Sequence, residues 1–148
     1  MELIFPAYPL QIEQRDGKPH IWDVIRKKWI VLQKEEYVRQ HLLHYLLEAR
    51  ATPASRIAVE REIRYGSQRK RFDVVVFDRS GRPWLLCECK SPDVPLSEAT
   101  LLQAARYNRD LEAPHFLLTN GTNLHLFSRD AHGLFQRIND DWFDAPTG

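Results

Sequence analysis

Cysteine is scarce in this chain, and the scarcity excludes several designs. Its 148 residues include only two, Cys87 and Cys89. They stand two apart on one predicted strand, a spacing that suits neither a disulfide between strands nor a zinc knuckle. Both are expected to be small core residues, and a reducing cytoplasm is the natural setting. Nowhere is there a run of the ~20 apolar residues that a membrane-spanning helix needs. The N-terminus, Met1 to Pro6, lacks a basic region and a long apolar run, so no signal peptide is expected. Charge of one sign is also missing: the formal net charge is +1. That removes any global basic signal for nucleic acid, so such a surface must be local. There is no internal repeat and no low-complexity segment.

What remains is ordinary globular material, 43% hydrophobic and 28% charged. The length predicts one domain over residues 1–148 with a single core. It divides into an N-terminal arm and hairpin (1–32), a core (33–128) and a tail (129–148).

The chain is organised around residues 71–90. Arg71 to Phe77 reads as a strand carrying Asp73 in an apolar run. Asp78 to Arg82 has the residues of a hairpin loop. Pro83 to Lys90 reads as the returning strand and ends Glu88-Cys89-Lys90. Strand side chains alternate, so Glu88 and Lys90 share one side and the two cysteines the other. If the strands pair, Asp73 lies beside Glu88. Two carboxylates and an ammonium at the end of an apolar sheet are costly unless they bind a metal or each other. Oxygen ligands with room for water suit Mg2+ or Mn2+ better than Zn2+. A solvated strand end with a Glu–Lys pair is the competing reading.

In the arm, residues 10–13 and 20–23 form a hairpin across Arg15 to Lys18. The basic run Arg26-Lys27-Lys28 can touch phosphates or simply face water. Lys34 to about Ala51 is predicted as a helix, with Tyr37, Val38, Leu42, Tyr45 and Leu46 on its apolar face. Glu36 and Gln40 share a face. His41 and His44 lack a third ligand and read as surface or packing residues. Ile57, Val59, Arg61, Ile63 and Tyr65 are expected on one core-facing side of a strand. The triplet Arg69-Lys70-Arg71 then leads into the Asp73 strand, either as a phosphate contact or as a solvated turn.

Ser97 caps a second predicted helix that runs to about Arg109, with Leu101, Leu102 and Ala105 inward. Gln103, Arg106 and Tyr107 lie within one turn of each other. A strand from Pro114 to Thr119, the hairpin signal Asn120-Gly121 and a strand from Asn123 to Phe127 follow. Phe135, Trp142 and Phe143 are expected to pack a short tail element on the body.

Asp73, then Glu88-x-Lys90 fifteen positions later, resembles the D…(D/E)xK signature of the PD-(D/E)XK nuclease superfamily. The element order matches that fold: an α/β (α+β), restriction-endonuclease-like core with a mixed central sheet flanked by helices, here with an N-terminal β-hairpin arm. The chain is similar more narrowly to the N-terminal domain family of type I restriction enzyme R subunits. Ile25 to Trp29, Glu36 to His41, Asp73, Glu88-Cys89-Lys90 and Thr119-Asn120-Gly121 carry that resemblance, from about Tyr8 to Phe127.

The resemblance implies a metal-dependent DNA endonuclease using Mg2+ or Mn2+. Asp73, Glu88 and the carbonyl of Cys89 would hold the ion, and Lys90 would orient or help deprotonate the attacking water. Glu36 matches the acid such nucleases add from the first helix. Gln103 with Tyr107 resembles a Gln-x-x-x-Tyr motif, with helix packing as the alternative. Arg69, Lys70, Arg71 and Tyr107 are candidate DNA contacts. The R subunits continue into a helicase motor, whereas this chain has no Gly-x-x-x-x-Gly-Lys-Ser/Thr loop, so ATP-driven translocation is not expected here. A separate protein subunit or a homodimer is an expected partner. A non-catalytic nucleic-acid or protein-binding module on the same fold is the other reading.

Overall fold

A computed structural model describes residues 2–138. The arm is more than a hairpin. Strands β1 (Ile12–Arg15), β2 (Lys18–Asp23) and β3 (Lys28–Val31) form a three-stranded antiparallel sheet. The basic run thus leads into a strand, with Trp29 opposite Trp22 and their rings 5.4 Å apart. Aromatic cross-strand pairs of this kind stabilise small sheets.

Helix α1 (Lys34–His44) has Glu35 and Glu36 in its first turn, where the helix dipole favours acids. It continues into a π-helical turn over Tyr45–Ala49. Six further strands follow: β4 (Ile57–Tyr65), β5 (Gln68–Phe77), β6 (Pro83–Cys89), β7 (His115–Thr119), β8 (Leu124–Arg129) and β9 (Phe135–Ile138). They make one mixed sheet in that order. Only β6 and β7 run parallel, and helix α2 (Glu98–Asn108) makes the crossover between them. Parallel neighbours cannot be joined by a tight turn.

Each face of this sheet carries its own core. On one, Val38, Leu42 and Leu46 of the α1 segment pack on Val74, Val76, Cys87, Cys89 and Leu117. On the other, Leu101 of α2 packs with Phe72, Val75, Leu86, Phe116 and Phe135. No helix among the described residues is long and apolar enough to cross a membrane.

The faces exchange in mid-strand. Val74 and Val76 belong to the α1 core, yet Phe72 belongs to the α2 core. Strict alternation would put all three together. The same break occurs in β4: Ile57 and Val59 pack on the α1 side, and Ile63 on the α2 side. The expected single apolar side of Ile57, Val59, Arg61, Ile63 and Tyr65 is therefore wrong, and Tyr65 is exposed. The cause is local. Pairing skips from Val59–Val74 to Arg61–Phe72, leaving Glu60 opposite Asp73 outside the ladder. Glu60 has a φ of 52°, in the left-handed region that a side chain disfavours. Both strands slip together, so the register on either side is kept.

In α2, Ser97 caps as expected by accepting the Thr100 N–H at 3.2 Å. Leu101 is buried, but Leu102, one residue and ~100° further round the helix, is exposed. At the β7–β8 hairpin Gly121 has a φ of 90°. A Cβ there would lie 2.8 Å from Leu3 Cδ2 and 3.0 Å from Val38 Cγ2. The Gly121 carbonyl accepts the Ile4 N–H at 2.6 Å, which ties the arm to the main sheet. The tail supplies β9 through Phe135; Trp142 and Phe143 lie outside the described residues.

Candidate active site

Asp73 sits where β5 changes face, and the neighbouring ladder ends beside it. The last straight pairs of β5 and β6 are Val76–Leu85, Val75–Leu86 and Val74–Cys87. The next position in register sets Asp73 opposite Glu88. Instead of a main-chain pair, Asp73 Oδ2 accepts the N–H of Cys89 at 2.7 Å. An extended residue points its N–H and C=O to the same side, so the Cys89 carbonyl also faces the Asp73 edge. The N–H of the next residue, Lys90, points the other way, to the Thr119 carbonyl at 2.8 Å.

A chain of ion pairs reaches Asp73 from α1 and the arm. Arg39 holds Glu36 through two bonds, at 2.6 and 2.9 Å, and its Nη1 lies 3.4 Å from Asp73 Oδ1. Arg26 joins Asp23 at 2.7 Å, Glu60 at 3.1 Å and Glu36 at 3.4 Å. Gln40 donates to Glu36 at 3.1 Å. Glu36 is thus buried and clasped by two arginines and an amide. Burial pushes the Asp23 carboxyl up, but the hydrogen bonds and charge of Arg26 outweigh it and hold Asp23 below the usual range. The Arg39 guanidinium is raised: burial works against its charge, and Glu36 and Asp73 more than offset that.

Asp73 itself is raised above the ordinary carboxylate range. Burial is the largest cause; the Cys89 N–H and Arg39 pull it down, and the Glu88 charge pushes it up. Glu35 is raised as well, first by burial and then by the charge of Asp73, with Lys90 and Arg39 acting in the opposite sense. Both first-turn acids thus reach Asp73: Glu36, the acid expected from the sequence, through Arg39, and the exposed Glu35 through its charge alone. The helical rotation of ~100° per residue points them in different directions.

Glu88 lies on the α2 side. Its carboxylate forms an ion pair with Lys70, which also donates to Asn108 Oδ1 at 3.0 Å and lies 4.1 Å from the Tyr107 ring centre. Lys70, read as a phosphate contact, is here the partner of Glu88. Asn108, fully buried in α2, was not singled out from the sequence. Arg69 and Arg71 are exposed, and so are Gln103 and Tyr107 on α2. With Arg106 and Arg109, Arg69 and Lys70 line a groove of about 430 Å3 along Tyr107. Lys90 makes no ion pair or side-chain hydrogen bond among the described residues.

Cys87 and Cys89 are fully buried in the α1-side core, and burial keeps both thiols well above their usual range. His41 Nδ1 lies 2.9 Å from the Tyr37 carbonyl and its ring packs edge-on against Tyr37, as a packing residue does. Among the described residues no three His, Cys, Asp or Glu side chains are placed to hold a metal ion. The oxygen donors that the strand register sets side by side are Asp73, the Cys89 carbonyl and Glu88, with Asp73 tied to Arg39 and Glu88 to Lys70. They are hard donors, and the surrounding charge fits a dication. Six carboxylates (Asp23, Glu35, Glu36, Glu60, Asp73 and Glu88) face four cationic side chains (Arg26, Arg39, Lys70 and Lys90).

No curated protein matches the chain. A solved structure that it resembles is a candidate DUF820 nuclease from Anabaena variabilis, with a TM-score of 0.49 at 14% identity over 91% of this chain and 80% of that one. Residues 34–140 match the family described as Type I restriction enzyme R protein N terminus. That span holds α1, the face change at Asp73, Glu88 and Lys90, and this chain belongs to that family.

Proposed function

We propose that the domain is a metal-dependent DNA endonuclease that hydrolyses phosphodiester bonds at Asp73, Glu88 and Lys90. The observation that carries this reading is Asp73 set outside both of its ladders, facing Glu88, with the Cys89 N–H fixing one of its oxygens. Mg2+ or Mn2+ suits the donors, and Asp73, Glu88 and the Cys89 carbonyl would hold it. Such an ion would polarise a phosphoryl oxygen and lower the pKa of its bound water.

The chain's own groups supply the rest. The Cys89 N–H engages Asp73 Oδ2, and Oδ1, which Arg39 Nη1 approaches at 3.4 Å, keeps a lone pair for a ligand. Arg39 anchors that carboxylate to α1. Lys90, free of a carboxylate partner among the described residues, offsets charge that builds on the phosphate and orients the water. Glu36, tied to Asp73 through Arg39, is the acid that the first helix adds to the site, and the charge of Glu35 couples to Asp73 as well. Lys70 neutralises Glu88 in the protein alone; when Glu88 takes a cation, Lys70 passes to a DNA phosphate next to Arg69 and Arg71. Tyr107 lies on the same groove. The family favours DNA as partner and a second protein subunit in the working assembly.

The test is incubation of purified protein with plasmid and with single-stranded DNA, with Mg2+ or Mn2+, beside Asp73→Ala and Lys90→Ala. Cleavage that needs the metal and disappears in both variants is expected. Retained cleavage in a clean preparation of either variant removes the mechanism.

A further inference from the structure

At the far end of β5 from Asp73, two adjoining cavities of about 280 and 480 Å3 share Arg56, Phe77, Asp78 and Arg79. Trp84 lines the first and Arg61 the second. Together they form one elongated cleft between the end of β5, its loop to β6, and the chain entering β4.

Charge in this cleft is unbalanced. Among the described residues Arg56, Arg61 and Arg79 make no ion pair. The carboxylate on its wall, Asp78, is engaged by the Ser80 hydroxyl at 2.6 Å and by the N–H groups of Ser80 and Arg82 at 2.9 and 3.0 Å. Arg61 is not a loose surface chain, because its guanidinium lies 5.4 Å from the Phe77 ring centre. At the other pole Arg26, Arg39 and Lys70 are neutralised by carboxylates, whereas Lys90, Arg69 and Arg71 make no ion pair among the described residues. In a chain with a net charge of +1, three uncompensated guanidiniums along one cleft make a local positive field of the kind that attracts a polyanion.

We propose that this cleft is a second nucleic-acid contact, holding backbone phosphates of the DNA that is cut at Asp73. The inference rests on the nuclease reading for the identity of the anion. The two sites share the same two strands: Phe77 is four residues beyond Asp73 on β5, about 14 Å at the usual rise, and Arg61 follows Glu60, which faces Asp73. That distance is about four base pairs of duplex. Three guanidiniums spread over two adjoining cavities fit a backbone passing along β4 and β5 better than a compact nucleotide.

The experiment measures binding of a labelled 20-base-pair duplex in EDTA, so that no cleavage occurs, across 50 to 200 mM salt. Unmodified protein is compared with a triple variant, Arg56→Gln, Arg61→Gln, Arg79→Gln, whose fold is checked by its unfolding transition. Each lost phosphate contact lowers the slope of log K against log salt by about 0.9, so a fall of two to three is expected. The single exposed variant Arg79→Glu should weaken binding on its own. Unchanged slope and affinity in the triple variant overturn the proposal, even where the protein cuts DNA. A reduced slope in a protein that cuts no DNA supports the cleft and removes the nuclease reading instead. A polyglutamate peptide that competes as well as DNA reassigns the cleft to an acidic protein and also overturns the proposal.

Discussion

Asp73 Oδ2 accepts the backbone N–H of Cys89 at 2.7 Å, where β5 and β6 cease to pair. A side chain here stands in for the main-chain acceptor that a regular ladder would supply, and the substitution places a carboxylate in the seam between two strands. Asp73→Asn keeps an acceptor for Cys89 but removes the charge. The Asp73 carboxyl is raised in the folded state, chiefly by burial. A raised acid binds its proton more tightly when folded, so its ionisation costs stability above the ordinary aspartate range, and the cost fades as pH falls below that range. The variant should therefore unfold at a higher temperature than the parent at pH 7, with the gap closing in acid, and should not cut DNA. Thermal melts from pH 3 to 8 measure this. A variant less stable than the parent at pH 7 would refute the burial account.

Arg39 is the central tie of the ion-pair chain. Its removal leaves Glu36, 5% exposed, without its two closest hydrogen bonds. Breaking a buried pair from one side costs about 3–5 kcal/mol. Arg39→Met should lose that much by urea unfolding, and Arg39→Met combined with Glu36→Gln should recover part of it.

Lys70 competes with a cation for Glu88. Lys70→Met should tighten Mn2+ binding by about tenfold, or 1.4 kcal/mol, read by calorimetry without DNA. Glu88→Gln should abolish the gain. Equal Mn2+ affinity in Lys70→Met and parent would place the ion away from Glu88.

The two acids of the first turn should separate by phenotype. Glu35→Gln should leave stability nearly unchanged and lower the cleavage rate. Glu36→Gln should destabilise the fold, because two arginines and Gln40 converge on it. Paired urea curves and single-turnover rates distinguish them, and the opposite pattern would assign the catalytic role to Glu36.

Gly121→Ala tests the strap between the arm and the main sheet. The new Cβ would meet Leu3 and Val38 at 2.8 and 3.0 Å on a backbone of positive φ. A loss of about 1–3 kcal/mol is expected, measured by denaturant unfolding.

Much of this arrangement was legible in the sequence. The apolar runs around Asp73 and Glu88 fixed two adjacent strands, because the Asp78–Arg82 loop leaves them nowhere else to pair. Helix α1 and the Ser97 cap followed from periodicity and hydrogen-bonding chemistry. Three features were hidden. The strand from Lys28 to Val31 was masked because its turn, residues 24–27, has no Gly, Asn or Pro; Asp23 Oδ1 closes it by accepting the Ile25 and Arg26 N–H groups, and Lys27 takes a φ of 54°. Lys70 could not be assigned to Glu88, because strict alternation sends it to the α1 face with Val74 and Val76. The link from Glu36 through Arg39 to Asp73 could not be read, since Arg39 and Asp73 stand 34 positions apart.

The paired slip at Glu60 and Asp73 has a consequence for how the sequence can change. It is a defect shared by two strands, and each half cancels the register error of the other. Loss of the slip from β4 alone would shift every partner from Arg61 to Tyr65, and with it the placement of Lys70. Positions 60 and 73 therefore act as one structural unit. Libraries that randomise both together should yield folded members at a frequency that the two single-site libraries, multiplied, do not explain.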